Sequence, residues 1–87
     1  MTESTREARV AQLERELRQK FGAEIKGAPL RQILGYSSGD AFRQAVRRGL
    51  IPVHTYVYEG RRARYATALA LATWIESLEH AGKDQET

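Results

Sequence analysis

Apolar residues in the first quarter of the chain recur at helical spacing. Among charged and polar neighbours, one narrow stripe is formed by Val10, Leu13, Leu17 and Phe21. The spacing predicts an amphipathic helix, and Gly22 is a suitable end because glycine readily adopts the left-handed backbone that often follows a helix. Two alternatives stay open for this stripe, since it is too short to assign by its period. It packs on the protein's own core, or it forms a homodimer with its copy.

Two short helices separated by a tight turn are predicted in the middle of the chain. Pro29 can open the first helix because its missing amide costs nothing there, and Gly35 can end it. A second helix begins with Ser37 or Ser38 as its cap and is closed by Gly49. Inward-facing apolar positions are filled by Leu30, Ile33, Leu34, Ala41, Phe42, Ala45 and Val46. This arrangement is typical of a helix-turn-helix.

Past the second helix the pattern changes from helical to alternating. Residues 53–58 predict a strand, Glu59 and Gly60 mark a turn, and residues 61–65 predict the return strand. The two strands form a β-hairpin, the predicted wing. A last helix, capped by Thr67, has an apolar side formed by Leu71, Trp74, Ile75 and Leu78.

These elements predict a fold that is mainly α with a small β-hairpin wing, a winged helix-turn-helix preceded by an N-terminal helix. We expect residues 1–28 to form that helix and a connector with space for a very short strand. Residues 29–82 are expected to form the winged helix-turn-helix domain. Gly82 is expected to end the last helix, which leaves residues 83–87 as a flexible tail.

Positive charge is concentrated in one segment. The net charge is +3, but residues 40–64 carry six arginines against Asp40 and Glu59, whereas residues 65–87 carry one lysine against four acids. Eleven of the fourteen basic residues are arginines, whose planar guanidinium suits phosphates and guanine edges. The alternative interpretation is a solvated surface that is rich in arginine.

Several function classes find no support in the composition. Cysteine is absent, so disulfides and thiolate metal sites are not expected, and His54 and His80 have no companion ligands nearby. No apolar run reaches the roughly 20 residues that span a bilayer, and the N-terminus lacks a secretory pattern, so we expect a cytoplasmic protein. No phosphate-binding glycine loop or nucleophile motif is present, and we expect neither an enzyme nor a cofactor.

The second helix of the pair, residues 38–48, carries the candidate base-reading residues. With its apolar side turned inward, its outer face presents Asp40, Arg43, Gln44 and Arg47. A helix of this size fits the major groove, where arginine and glutamine can form bidentate contacts with guanine and adenine. The alternative is that Asp40 pairs with Arg43 or Gln44 on a solvated surface.

A second set of residues is expected to hold the phosphate backbone. Free amides and hydroxyls at the start of a helix bind phosphate, and a basic hairpin can follow the backbone or enter the minor groove. These candidates are Ser37, Ser38, Arg48, Arg61, Arg62 and Arg64. The alternative for the hairpin is that its charge protects an exposed edge strand from aggregation.

Four segments read LRQILGYSS (30–38), AFRQAVRRGLIPV (41–53), RRARY (61–65) and LATWI (71–75). In this order they resemble the winged helix-turn-helix of the excisionase and MerR-type superfamily. The resemblance implies that the second helix enters the major groove and that the wing touches flanking DNA. Members are commonly encoded by phages, plasmids and integrative elements, or they regulate transcription.

The chain also departs from that superfamily's pattern. Arg31 and Gln32 occupy positions that are usually small and apolar, and residues 1–28 have no counterpart in the minimal excisionase. No effector-binding domain follows, so we expect no small-molecule effector.

The sequence thus predicts a sequence-specific protein that binds double-stranded DNA, as a transcription regulator or an excisionase-like architectural factor. Its helix over residues 38–48 would read the major groove, and its wing over residues 53–65 would contact the backbone or the minor groove. One alternative is a protein-interaction adaptor that binds an acidic partner through the same arginines. A further alternative is an RNA-binding protein.

Overall fold

The computed structural model describes residues 3–85, which comprise four helices and one small sheet. Along the chain the elements are α1 (Glu3–Phe21), β1 (Glu24–Lys26), α2 (Gly27–Ile33), α3 (Gly39–Arg47), β2 (Tyr56–Val57), β3 (Arg64–Thr67) and α4 (Ala68–Gln85). The predicted fold class, mainly α with a small β wing, is confirmed. The connector before α2 does contain a very short strand, which is β1. Helix α2 begins two residues before Pro29.

The three strands form one antiparallel sheet in the order β1-β3-β2. Ile25 in β1 pairs with Ala66 in β3, and Tyr65 of the same central strand pairs with Tyr56 in β2. Because side chains alternate along a strand, Ile25 and Ala66 share one face, and Tyr56 and Tyr65 share the other. The face with Ile25 and Ala66 joins the hydrophobic core.

The hairpin is shorter than predicted, because β2 covers two residues and β3 starts at Arg64. Residues 58–63 form the connecting loop, where the Arg61 amide donates to the Tyr58 carbonyl over 3.0 Å. The central strand extends to Thr67 instead of ending at residue 65, since β1 pairs along its other edge. We use the name wing for residues 56–67, which comprise β2, this loop and β3.

Both predicted glycine stops of the helix-turn-helix are present. Gly49 has a φ of 70°, and its amide donates to the Val46 carbonyl while the Leu50 amide donates to the Ala45 carbonyl. This pair of bonds satisfies two of the carbonyls at the end of α3, and a side chain would strain the backbone at such a φ. Gly35, with a φ of 93°, ends α2 with the same pair of bonds.

The core joins α2, the sheet and the start of α4. Its buried cluster consists of Ile25, Leu30, Leu34, Ala66, Ala68 and Leu71. The predicted stripe of α1 lies toward this core, because Leu13 is buried while Leu17 and Phe21 pack against the cluster and Val10 is half-buried. The structure therefore agrees with the first of the two alternatives, in which the stripe packs on the chain's own core. A homodimer stays a prediction, and the partly exposed Val10, Leu17 and Phe21 are the stripe residues that remain accessible to it.

Helix α1 is also joined to α4 by two ion pairs. The Arg6 guanidinium contacts both carboxylate oxygens of Glu76, with 3.0 Å between Nη2 and Oε1. Arg9 Nη2 lies 2.8 Å from Glu79 Oε2. Glu76 is only 7% exposed, so its charge is removed from water and compensated by Arg6. The N-terminal helix thus contacts the rest of the fold through polar as well as apolar groups.

The predicted end of α4 at Gly82 is wrong, because the helix continues to Gln85. Glycine inside a helix costs about 1 kcal/mol relative to alanine, which a long helix tolerates. Residues 83–85 of the predicted flexible tail are therefore helical, and residues 86–87 lie outside the described residues. Leu78, expected on the inner side of α4, is 52% exposed.

Candidate nucleic-acid interface

A groove of about 710 Å³ lies between α3, the start of α2 and the wing. Its apolar lining includes Phe42, Val46 and Val57. Its charged lining consists of five arginines, which are Arg31, Arg43, Arg47, Arg62 and Arg64. We call this feature the arginine groove. It brings together both parts of the predicted interface, since two of the arginines belong to α3 and two to the wing.

The outer side of α3 is exposed as its helical period predicts. Ala45 is buried, and Arg43 and Arg47, which are one turn apart, both line the arginine groove. Gln44 is exposed beside them and does not line the groove. This helix therefore presents two of its four predicted base-reading side chains to the wing.

Asp40, the remaining candidate on α3, forms an ion pair with Arg43. The Arg43 guanidinium lies back against the first turn, where a Cβ at residue 39 would be 3.2 Å from Arg43 Nη1. Glycine at position 39 therefore leaves space for the guanidinium. The pair matches the alternative that the sequence left open, and both side chains are largely exposed, so its net stabilisation is small.

The three arginines of the wing are divided between the two faces of the sheet. Arg64 lines the groove, and its Nη1 donates to Thr55 Oγ1 over 3.0 Å. Arg62 lines the same groove and is exposed. Arg61 lies on the opposite face, where its Nη1 donates to the Tyr65 hydroxyl over 3.2 Å. Arg62 and Arg64 thus face α3, whereas Arg61 does not.

The other three predicted backbone contacts lie at the two ends of α3. Ser38 is the N-terminal cap, because its Oγ accepts a hydrogen bond from the Ala41 amide over 3.1 Å. Its hydroxyl proton is still able to donate to an anion. Ser37 is exposed next to it, and Arg48 is exposed at the C-terminal end, outside the groove lining.

Arg31 is a groove residue that sequence reasoning missed. It is half-buried, and its Nη1 donates to the Tyr36 carbonyl over 3.0 Å, which ties the end of α2 to the turn before α3. The sequence marked the position only as unusually polar. An arginine where an apolar residue is usual was the available signal, but its place beside α3 depends on how the two helices pack.

The outer face of the sheet, opposite the core, carries a carboxylate surrounded by tyrosines. Glu24 Oε2 accepts hydrogen bonds from the hydroxyls of Tyr56, over 2.6 Å, and of Tyr58. These bonds lower the pKa of Glu24 below its ordinary value, the Tyr56 bond contributing most. The same carboxylate raises the pKa of both tyrosines above their ordinary value. The carboxylate is therefore ionised, and both hydroxyls are protonated, at neutral pH.

Nowhere in residues 3–85 do three or more His, Cys, Asp or Glu side chains come together in a way that could hold a metal ion. None of the helices described is long and apolar enough to cross a membrane.

Comparisons with known proteins return no match: no family model fits the chain, and neither the curated proteins nor the solved structures contain a similar one at a significant level.

Proposed function

We propose that this chain is a sequence-specific protein that binds double-stranded DNA, as a transcription regulator or an excisionase-like architectural factor in the cytoplasm. In this proposal α3 enters the major groove and the wing contacts the backbone or the minor groove. The observation that carries it is the arginine groove, in which Arg43 and Arg47 from α3 face Arg62 and Arg64 from the wing.

The division of roles follows from how the side chains are held. Arg47 and Gln44 are exposed on a helix that fits the major groove, and their side chains can form bidentate contacts with guanine and adenine. Arg64 lies on strand β3, and its side chain is held by a hydrogen bond to Thr55. A side chain held in this way suits a phosphate contact that positions the protein rather than one that reads bases. Asp40 could accept from a cytosine amino group once Arg43 has turned to the DNA.

The proposal is tested by selecting bound fragments from random double-stranded DNA, followed by salt titrations on the selected duplex and on a scrambled duplex. We expect one preferred sequence and an affinity that falls steeply with salt, because each phosphate contact releases counterions. An adaptor for an acidic protein would show no preference between the two duplexes. An RNA-binding protein would prefer competitor RNA to either of them.

Replacing Arg62 and Arg64 with alanine is expected to weaken binding to every sequence. The slope of log affinity against log salt should fall by about 2, since each phosphate contact contributes about 0.9. Fluorescence anisotropy at several salt concentrations measures this slope. The matched control replaces Arg15 and Arg18 with alanine. Both lie on α1, outside the groove, so this variant loses the same charge as the wing variant but at a different place.

Adding Arg61→Ala to the wing variant should leave the slope unchanged, because Arg61 lies on the other face of the sheet. If the α1 control lowers the slope as much as the wing variant does, general charge rather than the wing governs binding.

A further inference from the structure

The carboxylate of Glu24 connects two strands that are not neighbours. β1 and β2 lie on either side of β3, yet Glu24 of β1 accepts hydrogen bonds from Tyr56 of β2 and from Tyr58 just after it. Beneath this connection, Tyr65 of the central strand stacks against Tyr56, with 6.1 Å between ring centroids, and meets Tyr58 edge-on at 4.9 Å. We call Glu24, Tyr56 and Tyr58 the carboxylate anchor.

The wing needs such a side-chain connection because its backbone pairing is short. β2 has two residues, paired as Tyr56 with Tyr65 and Val57 with Arg64. A ladder of this length is marginal without further packing. The carboxylate anchor adds two hydrogen bonds to an ionised acceptor, which are stronger than bonds between neutral groups.

The anchor also determines what lies on the opposite face of the sheet. Val57 sits between the two anchored tyrosines, so its side chain points to the other face, where it lines the arginine groove. Its cross-strand partner is Arg64, which lines the groove as well. Fixing the tyrosines on one face therefore fixes the position of the groove side of the wing.

We propose that the carboxylate anchor is a positioning device, which holds the wing at the distance from α3 at which Arg62 and Arg64 contact the DNA backbone. This inference rests on the proposed function, and it gives a role to part of residues 1–28, which have no counterpart in the minimal excisionase pattern. Strand β1 completes the wing by supplying the Glu24 carboxylate, which accepts the two tyrosine hydrogen bonds.

The charge of Glu24 makes the inference testable, because the two possible effects have opposite signs. An acidic side chain on a DNA-binding protein opposes binding, so its removal should strengthen affinity for every sequence if charge alone matters. If Glu24 positions the wing, its removal should weaken affinity instead. Glu59, exposed in the wing loop, offers a matched acid outside the anchor.

The experiment compares Glu24→Ala, Tyr58→Phe and Glu59→Ala in the full chain, each on the selected duplex. We expect Glu24→Ala to weaken DNA binding on the order of tenfold, Tyr58→Phe to weaken it less with no change of charge, and Glu59→Ala to strengthen it slightly. Amide hydrogen exchange in the wing should be faster in both anchor variants, while exchange in α4 stays as in the unmodified protein.

Each outcome has a separate meaning. Tighter binding by Glu24→Ala, equal to that by Glu59→Ala, overturns the positioning role while the proposed function stands. Unchanged wing exchange in both anchor variants overturns it as well, even if affinity falls. An unmodified protein that binds no DNA overturns the proposed function first.

Discussion

Replacing Arg43 or Arg47 with alanine is expected to remove discrimination at individual base pairs, by about 1–3 kcal/mol for each bidentate contact that is lost. Both side chains project from the exposed side of α3 into the arginine groove, where a base edge would lie. The measurement is the affinity of each variant for the selected duplex and for duplexes with single base-pair changes. Each variant should become indifferent at its own position and keep the other preferences.

Arg48→Ala is the matched control, because Arg48 is exposed at the end of the same helix but outside the groove lining. This variant should bind all DNA sequences more weakly and to the same extent, as expected for the loss of a phosphate contact. Arg43→Ala should cost less than Arg47→Ala, because Arg43 must first leave its ion pair with Asp40. If the Arg43 and Arg47 variants instead lose the same affinity for every DNA sequence, α3 contacts only phosphates.

The helices were predictable because their signals are local, and so were their ends, except for the start of α2 and the end of α4. The bonds that end α3 run from Gly49 and the next residue to carbonyls within the same turn, and the cap from Ser38 reaches only to Ala41. Thr67 likewise caps α4 as predicted, through the Ala70 amide. Such contacts are encoded within a few residues, so the sequence pattern is sufficient to find them.

Strand β1 and the buried charge of Glu76 depend on residues far apart in the chain. β1 has one apolar residue, Ile25, between two polar ones, and only its pairing with β3 makes it a strand. Glu76 is a charged residue on a helix, which usually indicates a solvated face, but Arg6, 70 positions away, allows its burial. No local pattern contains these pairings.

The candidate site shows the same division. The helical period alone places Arg43 and Arg47 on the outer side of α3. The separation of Arg61 from Arg62 depends on the conformation of a six-residue loop, and the entry of Arg31 into the groove depends on the packing of α2. Adjacent basic residues were therefore predicted as one cluster, although the sheet divides them between two faces.

Leu30→Ala is expected to lower the free energy of unfolding by about 2–5 kcal/mol, the usual cost of a cavity left by a buried leucine. Leu30 is fully buried and lies in the cluster that joins α2 to the sheet and to α4. Urea denaturation followed by Trp74, the only tryptophan and a neighbour of the core, measures the change. Leu69→Ala is the control, because Leu69 is 51% exposed on α4 and should change stability little.

The same variant separates folding from recognition. A domain of this kind has a free energy of unfolding of about 5–15 kcal/mol, so Leu30→Ala should leave a reduced but folded population near room temperature. That population keeps Arg43 and Arg47 on an intact α3, and its preference between duplexes should be unchanged although less protein is active. Loss of sequence preference in Leu30→Ala, at concentrations corrected for the folded fraction, would contradict this. It would mean that the position of α2, and with it Arg31, takes part in reading the DNA.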